Sequence, residues 1–141
     1  MLKDILIVDG YNVIFAWQQL KQLANESLEH ARMELRNQLL NYGKFKGYEV
    51  ILVFDGKYTK SIASIEEITK GFIEVYTDDG ETADSFIERE VFLRQGKYTN
   101  VYVVTSDGAE QNQILGSGGL RIPARELQND MRLAKQEERL Q

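Results

Sequence analysis

The chain has 141 residues, 43% of them hydrophobic, with no cysteine, one histidine and a formal net charge of -5 at pH 7. These values fit one compact domain over residues 1–141 with an adequate core, and they exclude disulfides, thiolate nucleophiles, iron–sulfur clusters and cysteine- or histidine-rich metal sites, so any metal has to be held by oxygen. The charge has the wrong sign for coating a nucleic acid through bulk attraction. No run reaches the roughly 18 apolar residues of a membrane span, and the N-terminus lacks the order of a signal peptide, which together predict a cytoplasmic protein.

The first informative stretch is 5–14, ILIVDGYNVI. A short run rich in β-branched residues reads as a strand buried on both faces, as in parallel sheets. Asp9 ends that strand, at the edge where open α/β sheets bind ligands, so it either faces a site or caps the following helix. Gly10 lets the backbone turn sharply, and Asn12 returns an amide to the same rim. Residues 13–23 read as one short helix. Residues 25–27 then offer caps for a long amphipathic helix carrying Leu28, Ala31, Leu35, Leu39 and Tyr42 at helical spacing, closed near Gly43 or Gly47. His30, among Glu29, Arg32 and Glu34, has the setting of a solvated surface histidine.

Residues 49–54 (EVILVF) repeat the pattern of the first strand and again end in an acid and a glycine, Asp55 and Gly56. In the loop over 56–64, Lys57, Tyr58 and Lys60 supply two cations and an aromatic ring, a combination suited to RNA phosphates and an unpaired base. Residues 72–77 predict another strand, followed by a turn at 78–80. In GETADSFIERE, Thr82 is a good N-cap, Asp84 falls in the first helical turn, and Phe86, Ile87, Val91 and Phe92 make the apolar face. Asp84 and Glu88 are one turn apart and can look the same way, although the helix dipole alone favours acids in a first turn. Residues 100–105 (NVYVVT) form a third buried strand leading into Ser106, Asp107 and Gly108. A helix over 109–115, a flexible turn over 116–119 lacking the lysine and spacing of a P-loop, and a short strand over 120–122 follow. The last segment, 123–141, is a charged helix opened by proline, with Leu127, Met131 and Ala134 as a thin apolar stripe.

This alternation predicts an α/β domain of three layers with a mostly parallel sheet, whose right-handed crossovers gather the strand ends along one rim. Asp9, Asp55 and Asp107 then converge with Asp84. Two carboxylates about 5 Å apart repel by about 3 kcal/mol at an effective dielectric of about 20, so the cluster calls for a cation. Hard oxygen donors select Mg²⁺ or Mn²⁺, ions suited to phosphodiester hydrolysis without cysteine or histidine.

The motifs DGYNVI, VFDG, GETADSFIE and VTSDGAEQ, in this order and spacing, resemble the YacP-like NYN ribonucleases, relatives of the PIN-domain nucleases, over nearly the whole chain. The resemblance implies a PIN-like (Rossmann-like) fold and a Mg²⁺-dependent acidic site. Asp9, Asp84 and Asp107 would be the metal-binding carboxylates, with Asn12 supporting them and Asp55 an additional catalytic member. It further implies an endoribonuclease acting on RNA, specifically mRNA in association with the ribosome. Members of that family often continue beyond the position of Gln141. Two other classes are weighed against it. A haloacid-type phosphatase wants a second aspartate two residues after the first, where this chain has Tyr11. A non-catalytic RNA or ribosome binder on a PIN-like scaffold would not need all four acids.

Overall fold

The computed structural model describes residues 2–58 (Tyr58 in its backbone alone), 62–105 and 118–140. Strand β1 (Ile5–Asp9) is buried along its whole length. Ile5 and Ile7 enter one core while Leu6 and Val8 enter the other, because a run with no polar face has to be covered on both sides. β1 pairs in parallel with β2 (Glu49–Phe54) on one side and β5 (Val101–Val104) on the other. β4 (Phe72–Tyr76) adds to β2 and β6 (Leu120–Ile122) adds to β5, both in parallel. β3 (Ser64–Thr69) closes one edge antiparallel to β4, giving the order β3-β4-β2-β1-β5-β6.

Helices cover both faces of this sheet. α1 (Gly10–Ala16), α2 (Gln18–Glu26) and α3 (Leu28–Lys46) lie over the face carrying Leu6, Val8, Leu52 and Phe54. α4 (Ala83–Arg94) covers the opposite face with Phe86, Ile87 and Val91, and α5 (Ala124–Leu140) returns to the first layer through Leu127 and Ala134. The three-layer, mostly parallel α/β arrangement expected from the sequence is the one observed. The long helix is capped by Ser27, whose hydroxyl accepts from the His30 amide at 3.1 Å, and of the two candidate glycines it is Gly47, at φ 75°, that closes it. Among the described residues no helix is long and apolar enough to cross a membrane.

Four local expectations are corrected. The helix read over 13–23 is two helices broken at Trp17, whose extended backbone (φ -92°, ψ 121°) lets its buried indole Nε1 donate to the Ala124 carbonyl at 2.8 Å. A tertiary hydrogen bond to α5 thus overrides local helix propensity. Strand β3 lay unread, because SIEEIT exposes nearly every side chain and so shows no buried period; its pairing with β4 across a tight turn at Gly71 (φ 86°) makes it a strand. Phe92 is not part of the buried face of α4. It sits about 100° around the helix from Val91 and is 70% exposed. Gly10 is not in the left-handed region, so a sharp turn is not its purpose. A Cβ there would lie 2.4 Å from the Phe54 ring and 3.0 Å from the Val53 carbonyl oxygen, and it is this close approach of α1 to β2 that demands glycine.

One polar tie holds the helix layer over the sheet edge. Glu74 is 1% exposed on the face of β4 that also presents Phe72 to the core. Arg36 of α3 reaches it with two hydrogen bonds of 2.8 Å, Nε to Oε1 and Nη2 to Oε2. Removing the arginine strands a buried carboxylate, the costly half of such a pair. Arg36→Ala should therefore destabilise the protein by about 3 kcal/mol, while Arg36→Leu combined with Glu74→Leu should regain most of that loss, both measured by urea unfolding. Unaltered stability in Arg36→Ala would mean the pair does not hold this edge.

Candidate active site

Parallel register brings the strand ends level. Asp9 pairs with Val53 and Val8 with Val104, so the ends of β1, β2 and β5 open on one rim. Asp9 is the last residue of β1 and α1 starts at the next one, leaving no loop between them. It stands at the cap position of α1 but its carboxylate does not cap that helix, and it is 9% exposed. The reading of Asp9 as a mere helix cap therefore fails.

A cleft of about 440 Å³ lies at this rim. Asp9, Asn12 and the first two turns of α1 form one wall, Asp55 and Lys57 after β2 form the floor and lip, and Thr82, Ala83 and Asp84 at the start of α4 form the other wall. Thr82 caps α4 as expected, its hydroxyl accepting from the Ser85 amide at 3.1 Å, which sets Asp84 in the first turn beside the cleft. Glu88, one turn further along and away from the strand ends, does not line it. A groove of about 950 Å³ between α2, α3 and α5 is larger, but it shares no residue with the strand ends and mixes amides with charges of both signs.

Asp55 has a distinct place in this geometry. Its Oδ1 accepts from the Lys57 amide at 3.0 Å and its Oδ2 from the Ala83 amide at 3.4 Å, so one carboxylate ties the loop after β2 to the start of α4. Gly56 makes that loop possible. Its amide donates to Thr77 Oγ1 at 2.9 Å, and a Cβ there would fall 2.0 Å from the Thr77 carbonyl oxygen, closer than any side chain permits.

The structure thus brings Asp9, Asn12, Asp55, Lys57 and Asp84 to one cleft. Asp107, Lys60, the helix read over 109–115 and Gly116 and Ser117 of the glycine-rich turn lie outside the described residues, as does the side chain of Tyr58. His30 is exposed on α3 and takes no part. Tyr11 and Phe15 also line the cleft and were not singled out in the sequence, although their four-residue spacing is the signal that would have placed them on one helical face. Burial pushes the Tyr11 phenol above its ordinary pKa, outweighing the Arg32 guanidinium that donates to its oxygen at 3.2 Å, so Tyr11 stays protonated.

The donor chemistry fits a hard divalent cation: Asp9, Asp84 and Asn12, which line one cleft, carry carboxylate and amide oxygens of the kind such an ion takes. Among the described residues no three acids stand close enough to hold an ion by themselves. An ion here would therefore draw further ligands from Asn12, from water or from Asp107.

Comparison with known proteins agrees with this architecture. The YacP protein of Bacillus subtilis is 43% identical over 125 residues, covering 88% of this chain and 72% of that protein. The crystal structure of Rae1 (YacP) from Bacillus subtilis superposes with a TM-score of 0.83 at 38% identity, over 97% of this chain and 79% of that one. A single-substitution variant of the same protein gives 0.82 over 95% and 78%. The model of the YacP-like NYN domain matches residues 6–141, from the second residue of β1 to the last residue of the sequence. With a PIN-like α/β fold, a rim of acids at the strand ends and this match across nearly its whole length, the chain belongs to the YacP-like NYN family of the PIN-like nuclease superfamily.

Proposed function

We propose that this chain is a divalent-metal-dependent endoribonuclease whose substrate is mRNA engaged with the ribosome in the cytoplasm. The observation that carries the reading is the meeting of Asp9 from β1, Asn12 from α1 and Asp84 from α4 in one cleft. The sequence offers no thiol, and its one histidine is exposed elsewhere, so oxygen donors are the groups this cleft offers a metal ion.

Asp9 and Asp84, with Asp107, would hold Mg²⁺ or Mn²⁺. The chemistry such an ion supplies when held there is Lewis-acid polarisation of the scissile phosphate and activation of water for in-line attack. Asp9 is fixed by its low exposure and by the absence of any loop between β1 and α1. Asn12 brings a neutral oxygen and N–H donors that orient the phosphate without adding negative charge. Asp55 is a positioning residue, because its bonds to Lys57 N and Ala83 N hold the cation-bearing lip and the Asp84 wall at a set separation. Lys57, exposed at the lip, meets the RNA backbone, with Tyr58 and Lys60 extending the contact along the loop.

Net charge supports a docked substrate. At -5 the chain gains little from counterion release on free RNA, so affinity has to come from a surface that holds the message near Asp9. The family resemblance points to the translation machinery as that surface.

Three outcomes test this. Asp84→Asn keeps the shape and removes one charge, so RNA cleavage should fall about a hundredfold or more while the melting temperature without metal holds or rises, and EDTA should abolish wild-type cleavage. Wild-type rates in the variant or in EDTA would overturn the metal reading. Lys57→Ala should weaken binding of a single-stranded oligoribonucleotide and reduce its log–log salt slope by about 0.7 per lost phosphate contact; an unaltered slope removes the lip from the interface. One mRNA assayed free and during translation, at equal Mg²⁺ and enzyme, should be cut faster when translated, and equal rates would leave a general single-strand endoribonuclease.

A further inference from the structure

The cleft has an aromatic wall as well as acids. Phe15 follows Tyr11 by one turn of α1, and their rings stack with centroids 6.3 Å apart and planes inclined at 25°. Tyr11 lies 5.0 Å from Phe54, and Phe54 lies 5.4 Å from Tyr76. Arg32 fastens the inner end of this ladder, donating to the Tyr11 hydroxyl at 3.2 Å and standing 5.9 Å over the Tyr76 ring. The inner rings are covered, Phe54 at 0% and Tyr11 at 4% exposure. Phe15 is the outermost rung, 48% exposed, and it lines the same cleft as Asp9, Asn12 and Asp84.

A single half-exposed phenylalanine is ordinary on a protein surface. One that is stacked on a buried ring and lines the same cleft as the acids and Lys57 is an apolar plane beside groups suited to a phosphate backbone. Proteins that hold single strands combine these two elements, an aromatic face for the base and a cation for the backbone. A base within a duplex has both faces occupied by its neighbours and cannot use such a plane. We propose that Phe15 is a stacking platform for one unpaired nucleobase of the RNA, which holds the adjoining phosphodiester at the acids and favours single-stranded over duplex RNA. The proposal rests on the ribonuclease reading of the cleft and adds the residue that reads strandedness. Because Tyr11 already holds the ring, little side-chain freedom is lost on binding.

The test is a binding measurement, independent of turnover. Oligoribonucleotides carrying a fluorescent purine analogue at successive positions are titrated with the full chain bearing Asp84→Asn in Mg²⁺. At one position emission should drop on binding. Adding Phe15→Ala should remove that drop and weaken binding roughly tenfold, whereas Phe15→Trp should keep both, with far-UV circular dichroism showing that each variant stays folded. The same strand annealed to its complement should bind equally well with and without Phe15→Ala. An emission drop that survives Phe15→Ala, no drop at any position, or equal weakening for single strand and duplex would overturn the platform. Failure of the unsubstituted chain to cut RNA, both free and during translation, would overturn the nuclease reading alone, since the emission change does not depend on cleavage.

Discussion

The parallel pairing of β1 with both β2 and β5 is the constraint on which the site depends. Each pairing is set in register by side chains that alternate between two sealed cores, Ile5 and Ile7 on one side and Leu6 and Val8 on the other. A slip of one residue would turn every one of these side chains to the wrong core, so the register is strongly specified. Because it is specified, the ends of the strands fall level, and Asp9 stands beside the loop that carries Asp55. The acids need no long loops to meet.

Buried and part-buried polar ties then hold the helices where the cleft needs them. Trp17 hooks the break between α1 and α2 onto the first turn of α5, which fixes the far end of the short helix that carries Asn12 and Phe15. Tyr42 donates to Asp130 and joins α3 to α5, and burial together with that carboxylate raises the Tyr42 pKa far above its ordinary value, so the bond is held by the protonated phenol. Arg36 and Glu74 clamp α3 to β4. The buried members of these ties, Trp17, Tyr42 and Glu74, each have a hydrogen-bond partner, the condition under which burying a polar group stabilises rather than weakens a domain.

An acidic rim on an acidic chain poses a substrate problem, and the structure answers part of it locally. The net charge is -5, but the lip at Lys57 and the aromatic wall at Phe15 present a cation and an apolar plane beside the acids. Asp55 links the two walls through backbone amides of Lys57 and Ala83, so the cleft's width is set by hydrogen bonds rather than by the flexibility of a surface loop.

Much of this was legible in the residues. The apolar runs ending in acid and glycine marked β1, β2 and β5, Thr82 marked the start of α4, and residues 25–27 with Gly43 or Gly47 bounded α3 to within a few positions, because hydrophobic period, capping and glycine endings are local properties that a chain carries wherever it folds. The same endings named Asp9 and Asp55, and the cap at Thr82 named Asp84, as candidates for one site. Other features were not legible, since they depend on contacts between segments far apart in the chain. The break at Trp17 answers to Ala124, strand β3 exists through its pairing with β4, Gly10 is required by the Phe54 ring, and Asp55 is turned toward the Ala83 amide. The sequence by itself determined the three buried parallel strands β1, β2 and β5, the starts of α3 and α4, and the acids that follow them. Only the tertiary structure decided that Asp84 and not Glu88 faces the cleft, and that Phe15 is the open end of an aromatic stack, because both follow from how α1 and α4 are set against the sheet by packing that no local pattern encodes.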